Sequence, residues 1–155
     1  MSGPNEAVVS TPTERELVIT RTFHAPRSLV FEAWTTAEEV AQWWDPSGEP
    51  LAQCEIDLRV GGEFRFVHRG HGHVFAGVYR EIAPPERLVF ATHGGAGRAE
   101  VIGRLEFREE GEDRTTLVMT MKCASRADRD ALLAMRVDAG TVRTLANLAR
   151  FLEAR

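Results

Sequence analysis

Four histidines form the densest group of side chains that could hold a metal ion or transfer protons. His68, His71 and His73 surround a glycine-containing turn, and His93 lies in a later turn of the sequence. Zinc requires three or four ligands that converge in tetrahedral geometry, and this spacing matches no established zinc pattern. We therefore expect an exposed histidine-rich turn rather than a metal site, and we expect no cofactor.

His68 is the histidine with the strongest case for chemistry. It shares one face of a predicted strand with Phe64 and Phe66, so its imidazole could lie at the mouth of an apolar cavity. General acid–base catalysis would also require a carboxylate close to it, and Glu81 and Asp57 are the candidates. The sequence contains no nucleophile elbow, phosphate-binding loop or dinucleotide fingerprint.

The last stretch of the chain, from Ser125 to Arg155, is predicted to be one long amphipathic helix. Ser125 can cap its first turn, where Asp128 favours the positive end of the helix dipole. At 100° per residue one face is apolar, and this face needs a broad sheet as its partner. That face comprises Leu133, Val137, Thr141, Thr144, Leu145, Leu148, Phe151 and Leu152.

Thr141 and Thr144 place two hydroxyl groups in the middle of that apolar face. One interpretation is that each hydroxyl donates to a carbonyl one turn earlier in the helix. The other is that both line a cavity, and Gly140 adds to it because a glycine inside a helix usually has a packing or functional reason.

The order of elements predicts an α+β domain. Residues 1–15 are expected to be a flexible tail, and residues 16–155 are expected to form one domain that begins with a strand. Two short helices, about six strands and the long helix follow, with turns short enough for antiparallel hairpins. Arg21 shares the apolar side of the first strand, either in a structural ion pair or as an anchor for an anionic ligand.

Composition excludes several classes of function. The 155 residues carry a net charge of −4, so no basic surface for nucleic acid is expected. No apolar segment approaches the roughly 20 residues of a membrane span, and no secretion signal is visible. We expect a cytoplasmic protein in which Cys54 and Cys123 stay reduced, since neither has metal or CxxC spacing.

Four segments together resemble a known superfamily. They are Arg27–Trp34, Trp43–Trp44 followed by Pro46, Asp57–Arg65 and Gly77–Phe90. They look like the START-like (SRPBCC, Bet v 1-type) superfamily and, within it, the group named for the C-terminal domain of the Hsp90 ATPase activator Aha1. The resemblance implies a helix-grip fold. In that fold a curved antiparallel sheet of about six or seven strands wraps around the long C-terminal helix, two short helices follow strand 1, and a hydrophobic cavity separates sheet and helix.

Two positions depart from that family's pattern. Asp45 stands where glycine is usual after the paired tryptophans, and Thr141 stands where many relatives carry tryptophan in the last helix. A small side chain in place of a large aromatic one leaves space that neighbours or a ligand must fill, because protein interiors tolerate few voids. We therefore expect an open cavity.

The leading hypothesis is a module that binds a small hydrophobic or aromatic molecule in this cavity, rather than an enzyme. The expected ligand-binding residues are Arg21, Trp34, Phe64, Phe66, His68, Phe75, Tyr79, Phe90, Val137, Thr141, Thr144 and Leu148. No catalytic residue is assigned. The alternative is an enzyme of the cyclase or hydrolase type that uses acid–base chemistry in the same cavity.

Protein partners are a further alternative. An Hsp90 co-chaperone role is ranked last, because one domain leaves no room for the separate N-terminal module of the eukaryotic activator. A strand edge or the outer side of the tryptophan-containing helices offers a surface for a homodimer.

Overall fold

The computed structural model describes residues 6–93 and 99–155. The predicted turn at 94–97, the side chain of His93 and the first five residues of the predicted tail lie outside this part of the chain. Within it, eight strands and four helices follow one another. They are β1 (Val8–Ser10), β2 (Glu16–Phe23), α1 (Arg27–Thr35), α2 (Ala37–Trp43), β3 (Gln53–Ile56), β4 (Glu63–Val67), β5 (Val74–Ala83), β6 (Arg87–His93), β7 (Glu100–Glu109), β8 (Thr115–Lys122), α3 (Arg126–Ala134) and α4 (Val137–Glu153).

All eight strands belong to one antiparallel sheet in the order β1-β2-β8-β7-β6-β5-β4-β3. The α+β helix-grip prediction is confirmed, with eight strands instead of six or seven. The additional strand is β1, in which Val8 pairs with Thr20 and Ser10 pairs with Val18. A strand therefore lies inside the segment predicted to be a flexible tail, and both short helices follow the second strand instead of the first.

The apolar alternation of the strands explains where the core lies. Leu17 and Ile19 of β2 and Leu117 of β8 are completely buried, and they face the same side of the sheet as Phe107 of β7. Helices α1, α2 and α4 cover this side, and Leu145 of α4 is also completely buried. The buried face of α4 thus has the broad sheet partner that its sequence requires.

The prediction of one continuous C-terminal helix is wrong. The chain breaks at Arg136, whose φ of 61° and ψ of 36° are left-handed, and α3 and α4 lie on either side of it. No glycine or proline marks this break, and the apolar spacing continues across it, so local pattern alone does not reveal it. The predicted start is confirmed, because the Ser125 hydroxyl accepts a hydrogen bond from the Asp128 amide at 3.1 Å.

Both cysteines are free thiols. Burial, together with the charges of Glu38 and Glu55, raises the pKa of Cys54 to about 11. Burial also raises the pKa of Cys123 above its usual value. Both thiols are therefore protonated and weakly nucleophilic near neutral pH. None of the helices described here combines the length and the apolar character that a membrane crossing needs.

Candidate ligand cavity between the sheet and the C-terminal helices

A cavity of about 920 Å³ lies between the sheet and helices α3 and α4. Strands β5 to β8 form one wall, and α3, α4 and the ends of α1 and α2 form the other. Most of its lining is apolar. The lining residues are Trp34, Trp44, Pro46, His68, His73, Val74, Phe75, Ala76, Phe90, Thr92, Ala99, Val101, Gly103, Arg104, Leu105, Met119, Thr120, Met121, Asp128, Ala131, Leu132, Met135, Val137, Gly140, Thr141 and Thr144.

Seven of the twelve residues expected from the sequence line this cavity. They are Trp34, His68, Phe75, Phe90, Val137, Thr141 and Thr144. Four of the others lie in the core behind the wall, namely Phe64, Phe66, Tyr79 and Leu148. The twelfth, Arg21, lies elsewhere.

The buried aromatic residues act on the cavity indirectly, through the residues that line it. The ring of Phe64 lies 5.6 Å from that of Phe75 and 5.4 Å from that of Phe90, measured between centroids. Its centroid also lies 5.2 Å from that of the buried Tyr79 ring. Phe64 therefore fixes the positions of the two phenylalanines that face the cavity. Burial raises the pKa of Tyr79 well above its usual value, so its hydroxyl stays protonated.

Arg21 borders a separate hollow of about 20 Å³ beside the end of α4, together with Leu152 and Glu153. Its guanidinium carbon lies 5.5 Å from the centroid of the Phe23 ring. Burial lowers the pKa of Arg21, and the charge of Glu153 opposes this effect. The guanidinium thus packs on an aromatic face at the opposite end of α4 from Thr141.

The sequence analysis missed several lining residues. Trp44 directly follows α2 and lines the cavity, whereas Trp43, the last residue of the helix, is in the core, because successive helical residues point about 100° apart. Met119 and Met121 lie on the same face of β8 as buried Leu117, because every second residue of a strand points to the same side. This period of two was visible in the sequence. Leu132 and Met135 also line the cavity, and both precede the break in the helix at Arg136.

The two threonine hydroxyls of α4 behave differently. Thr141 donates to the Val137 carbonyl at 2.8 Å, one turn earlier, as the first interpretation predicted. Thr144 instead donates across the molecule to the Trp44 carbonyl at 2.9 Å, so the same prediction is wrong for this residue. The second bond ties α4 to the end of α2 at the edge of the cavity.

The indole N–H of Trp34 has no hydrogen-bond partner among the described residues. Trp34 lines the cavity, its side chain is 95% buried, and its Nε1 atom is shielded from solvent. A buried donor without a partner costs about 1–3 kcal/mol. Trp34 therefore carries an unpaired donor within the wall of the cavity.

Asp45 is the carboxylate beside His68. Its Oδ2 lies 2.9 Å from His68 Nδ1, and both side chains are buried. Glu81 and Asp57, the partners considered from the sequence, instead pair with Arg87 and Arg59. A partner 23 residues away in the sequence cannot be found from spacing.

Several hydrogen bonds stabilise the negative charge of Asp45. Burial alone would raise its pKa, but hydrogen bonds from the Ser47 amide, from His68 and from the Ser47 hydroxyl outweigh it and lower the pKa below its usual value. The backbone is held as well, because the Asn147 side-chain amide of α4 donates to the Asp45 carbonyl at 2.8 Å. Asp45 is thus an ionised carboxylate in a fixed position.

The predicted histidine-rich turn is exposed only in part. His71 and His73 are exposed, but His68 is buried, with 8% of its surface accessible. The rings of His68 and His71 stack with centroids 4.9 Å apart. The His73 ring lies 5.8 Å from His68 and 5.9 Å from His71. Three imidazoles and one carboxylate therefore meet at the edge of the cavity.

The sequence matches a known protein family. A family profile described as activator of Hsp90 ATPase homolog 1-like protein matches residues 24–153. The chain belongs to this family. A search among curated protein sequences finds no match.

Solved structures share the fold of this Hsp90-activator-like domain. A protein from Rhodobacter sphaeroides is 24% identical with a TM-score of 0.85, covering 96% of this chain and 99% of its own. A protein from Nitrosomonas europaea is 22% identical with a TM-score of 0.81, covering 93% and 97%. An Hsp90 activator from Plasmodium falciparum is 22% identical with a TM-score of 0.70, covering 90% and 96%.

Both departures from the family pattern lie at the cavity of this Hsp90-activator-like domain. Thr141 lines it, and its small side chain leaves this part of the cavity open. Asp45 orients His68, which also lines the cavity. The two unusual residues therefore change the same cavity, one through its volume and the other through its polarity.

Gly140 offers a direct test of how open the cavity is. It lies in the first turns of α4, and a Cβ added there would contact only Pro46 Cγ, at 3.8 Å. Because alanine is favoured over glycine inside a helix, Gly140→Ala should raise the free energy of unfolding by about 0.5–1 kcal/mol. Urea denaturation measures the change. A destabilised variant would show that this wall is closed.

Proposed function

We propose that the domain binds a small, largely apolar molecule that carries at least one hydrogen-bond acceptor. One observation carries the proposal: largely apolar walls surround about 920 Å³, and Trp34 in this wall has an indole N–H without a partner among the described residues. Ligand pockets typically measure about 300–1,000 Å³ and combine apolar walls with a few polar groups. This cavity has both features.

The polar groups of the wall favour a particular kind of ligand. The indole N–H can only donate, so a carbonyl, ether or carboxylate oxygen would relieve its unpaired state. The hydroxyl protons of Thr141 and Thr144 already bond to carbonyls, so these oxygens can only accept. The preferred ligand therefore presents an acceptor towards α1, and any donor that it carries finds partners on α4.

Filling the cavity tests the proposal. In Thr141→Trp an indole enters the space, and the affinity for anilinonaphthalene sulfonate, measured by its fluorescence, should fall at least about tenfold, or about 1.4 kcal/mol. Arg143→Trp adds the same indole to the exposed side of the same helix and should bind as the original protein does. Equal affinity in the two variants would contradict a ligand site in this cavity.

Removing the donor tests the polar part of the proposal. Acetophenone and ethylbenzene have nearly the same shape, and only acetophenone carries an acceptor. In Trp34→Phe the affinity for acetophenone should fall about threefold to tenfold, which corresponds to a hydrogen bond of about 0.5–1.5 kcal/mol, and that for ethylbenzene should not. Amide shifts in NMR titrations report both affinities. The same loss for both probes would contradict a role for the indole N–H.

The relatives do not favour a different function. The Hsp90 activator from Plasmodium falciparum shares 22% of its residues with this chain, and that likeness carries the fold alone. An NMR titration of fatty acids, sterols, flavonoids and small aromatic compounds is the broader search for the ligand. Shifts that cluster on Val137–Leu148 and on the strands facing it would support binding in the cavity.

A further inference from the structure

We propose that Asp45, His68 and His71 form a binding site for a divalent transition-metal ion such as Zn²⁺ or Co²⁺. Each residue offers one ligand atom, and these three atoms lie within 4.8 Å of one another. The site lies at the edge of the cavity, because His68 belongs to this cluster and also lines the cavity. It does not depend on the proposed apolar ligand.

The donor set selects the class of metal. Two imidazole nitrogens and one carboxylate oxygen suit zinc, cobalt, nickel and iron, whereas calcium and magnesium prefer all-oxygen sites. Three protein ligands leave a fourth position for water or for a donor atom of another molecule, as in catalytic zinc sites. In the part of the chain that the structure describes, Asp45 forms an ion pair only with His68, so no arginine or lysine competes for the carboxylate.

Two of the three ligands are already fixed in place. Asp45 and His68 are both more than nine-tenths buried, and Asn147 and Ser47 hold the aspartate by its carbonyl and carboxylate. Upon binding, the metal takes the place of the proton between Asp45 Oδ2 and His68 Nδ1. That proton moves through water to Nε2 of the same ring, so the imidazole stays neutral and no acid or base need be supplied.

His71 supplies the movement that the site requires. Zinc bonds of about 2.0–2.2 Å place tetrahedral ligand atoms about 3.3–3.6 Å apart. His71 must therefore approach by up to about 1.5 Å, and the Asp45–His68 pair, now 2.9 Å apart, must open slightly. His71 is exposed between Gly70 and Gly72, and a Cβ added at either glycine would contact nothing within 4 Å. Its Nδ1 now accepts the His73 amide at 3.1 Å, and water can replace that exposed bond.

Metal titration of the untagged full chain tests the site, because a histidine tag would itself bind metal. After treatment with a chelator, calorimetry with Zn²⁺ should show one ion per chain, and Co²⁺ should produce the visible absorption of a low-symmetry site. His71→Ala should weaken both by at least about tenfold, since even outer-shell changes at metal sites cost that much. His71 is exposed, so this variant should fold.

A second histidine provides the matched control. His24 is exposed and lies outside the cluster, so His24→Ala should bind Zn²⁺ with unchanged affinity. Zn²⁺ should also raise the melting temperature of the original protein and of His24→Ala, but not that of His71→Ala. The proposal is overturned by the absence of 1:1 binding, by an equal loss in both variants, or by full affinity in His71→Ala.

Discussion

Replacing Trp43 by alanine is expected to lower the free energy of unfolding by about 3–5 kcal/mol. Its side chain is 1% exposed, its ring lies 4.7 Å from that of Trp34, and its Nε1 donates to the Ala33 carbonyl at 3.3 Å. The substitution removes all of these contacts and leaves a cavity. Because domains of this size are stable by only about 5–15 kcal/mol, much of the total would be lost.

The neighbouring tryptophan provides the control for this prediction. Trp44 is half-buried and faces the ligand cavity, so part of its ring surface has no protein contact to lose. Trp44→Ala should therefore cost less than Trp43→Ala, although the same atoms are removed. Urea denaturation with a shared m-value measures both. The reverse order of stability would contradict the assignment of Trp43 to the core and Trp44 to the cavity.

Gly77→Ala is expected to destabilise the domain by about 1–3 kcal/mol, the usual cost of overpacking a core. A Cβ at this position would lie 2.5 Å from the Ala91 carbonyl oxygen and 2.7 Å from the Phe64 ring. The carbonyl is part of the neighbouring strand and cannot move alone, so β5 and β6 would have to shift. Since Phe64 supports Phe75 and Phe90, the cavity wall should move with it.

The control for this change is a glycine in the turn between β4 and β5. A Cβ at Gly70 meets nothing within 4 Å, so Gly70→Ala should stay within about 0.5 kcal/mol of the original protein. Thermal unfolding followed by circular dichroism compares the two. Equal melting temperatures would show that the ring of Phe64 and strand β6 can move aside at little cost. With Gly140→Ala, the series predicts one loss, one neutral change and one gain from the same substitution.

The sequence predicts most of the architecture because its signals are local. Alternation along β2 and β8 and the apolar face of α4 depend on residues that are two to four positions apart. The family resemblance then supplied the order of layers, and the profile match over residues 24–153 agrees with it. The short edge strand β1 was missed because it has only three residues, too few to show a period of two, and the segment around it is rich in serine, proline and threonine.

The candidate site was predicted only in part, because the sequence shows which side chains are apolar but not which of them reach the cavity. Phe64 and Phe75 have similar patterns, yet one supports the wall and the other forms it. The same holds for Trp43 and Trp44. The departures at Asp45 and Thr141 were visible in the sequence, and the structure brings both residues to the cavity, Thr141 directly and Asp45 through His68.

The sequence by itself determined most of the elements, their apolar faces and the family, since each of these follows from neighbours along the chain or from whole motifs. Only the tertiary structure decided that Asp45 meets His68, that Thr144 bonds to Trp44, and that the helix breaks at Arg136. These contacts join residues 23 and 100 positions apart, or depend on what a helix packs against. Their physical cause is long-range packing, which no local pattern records.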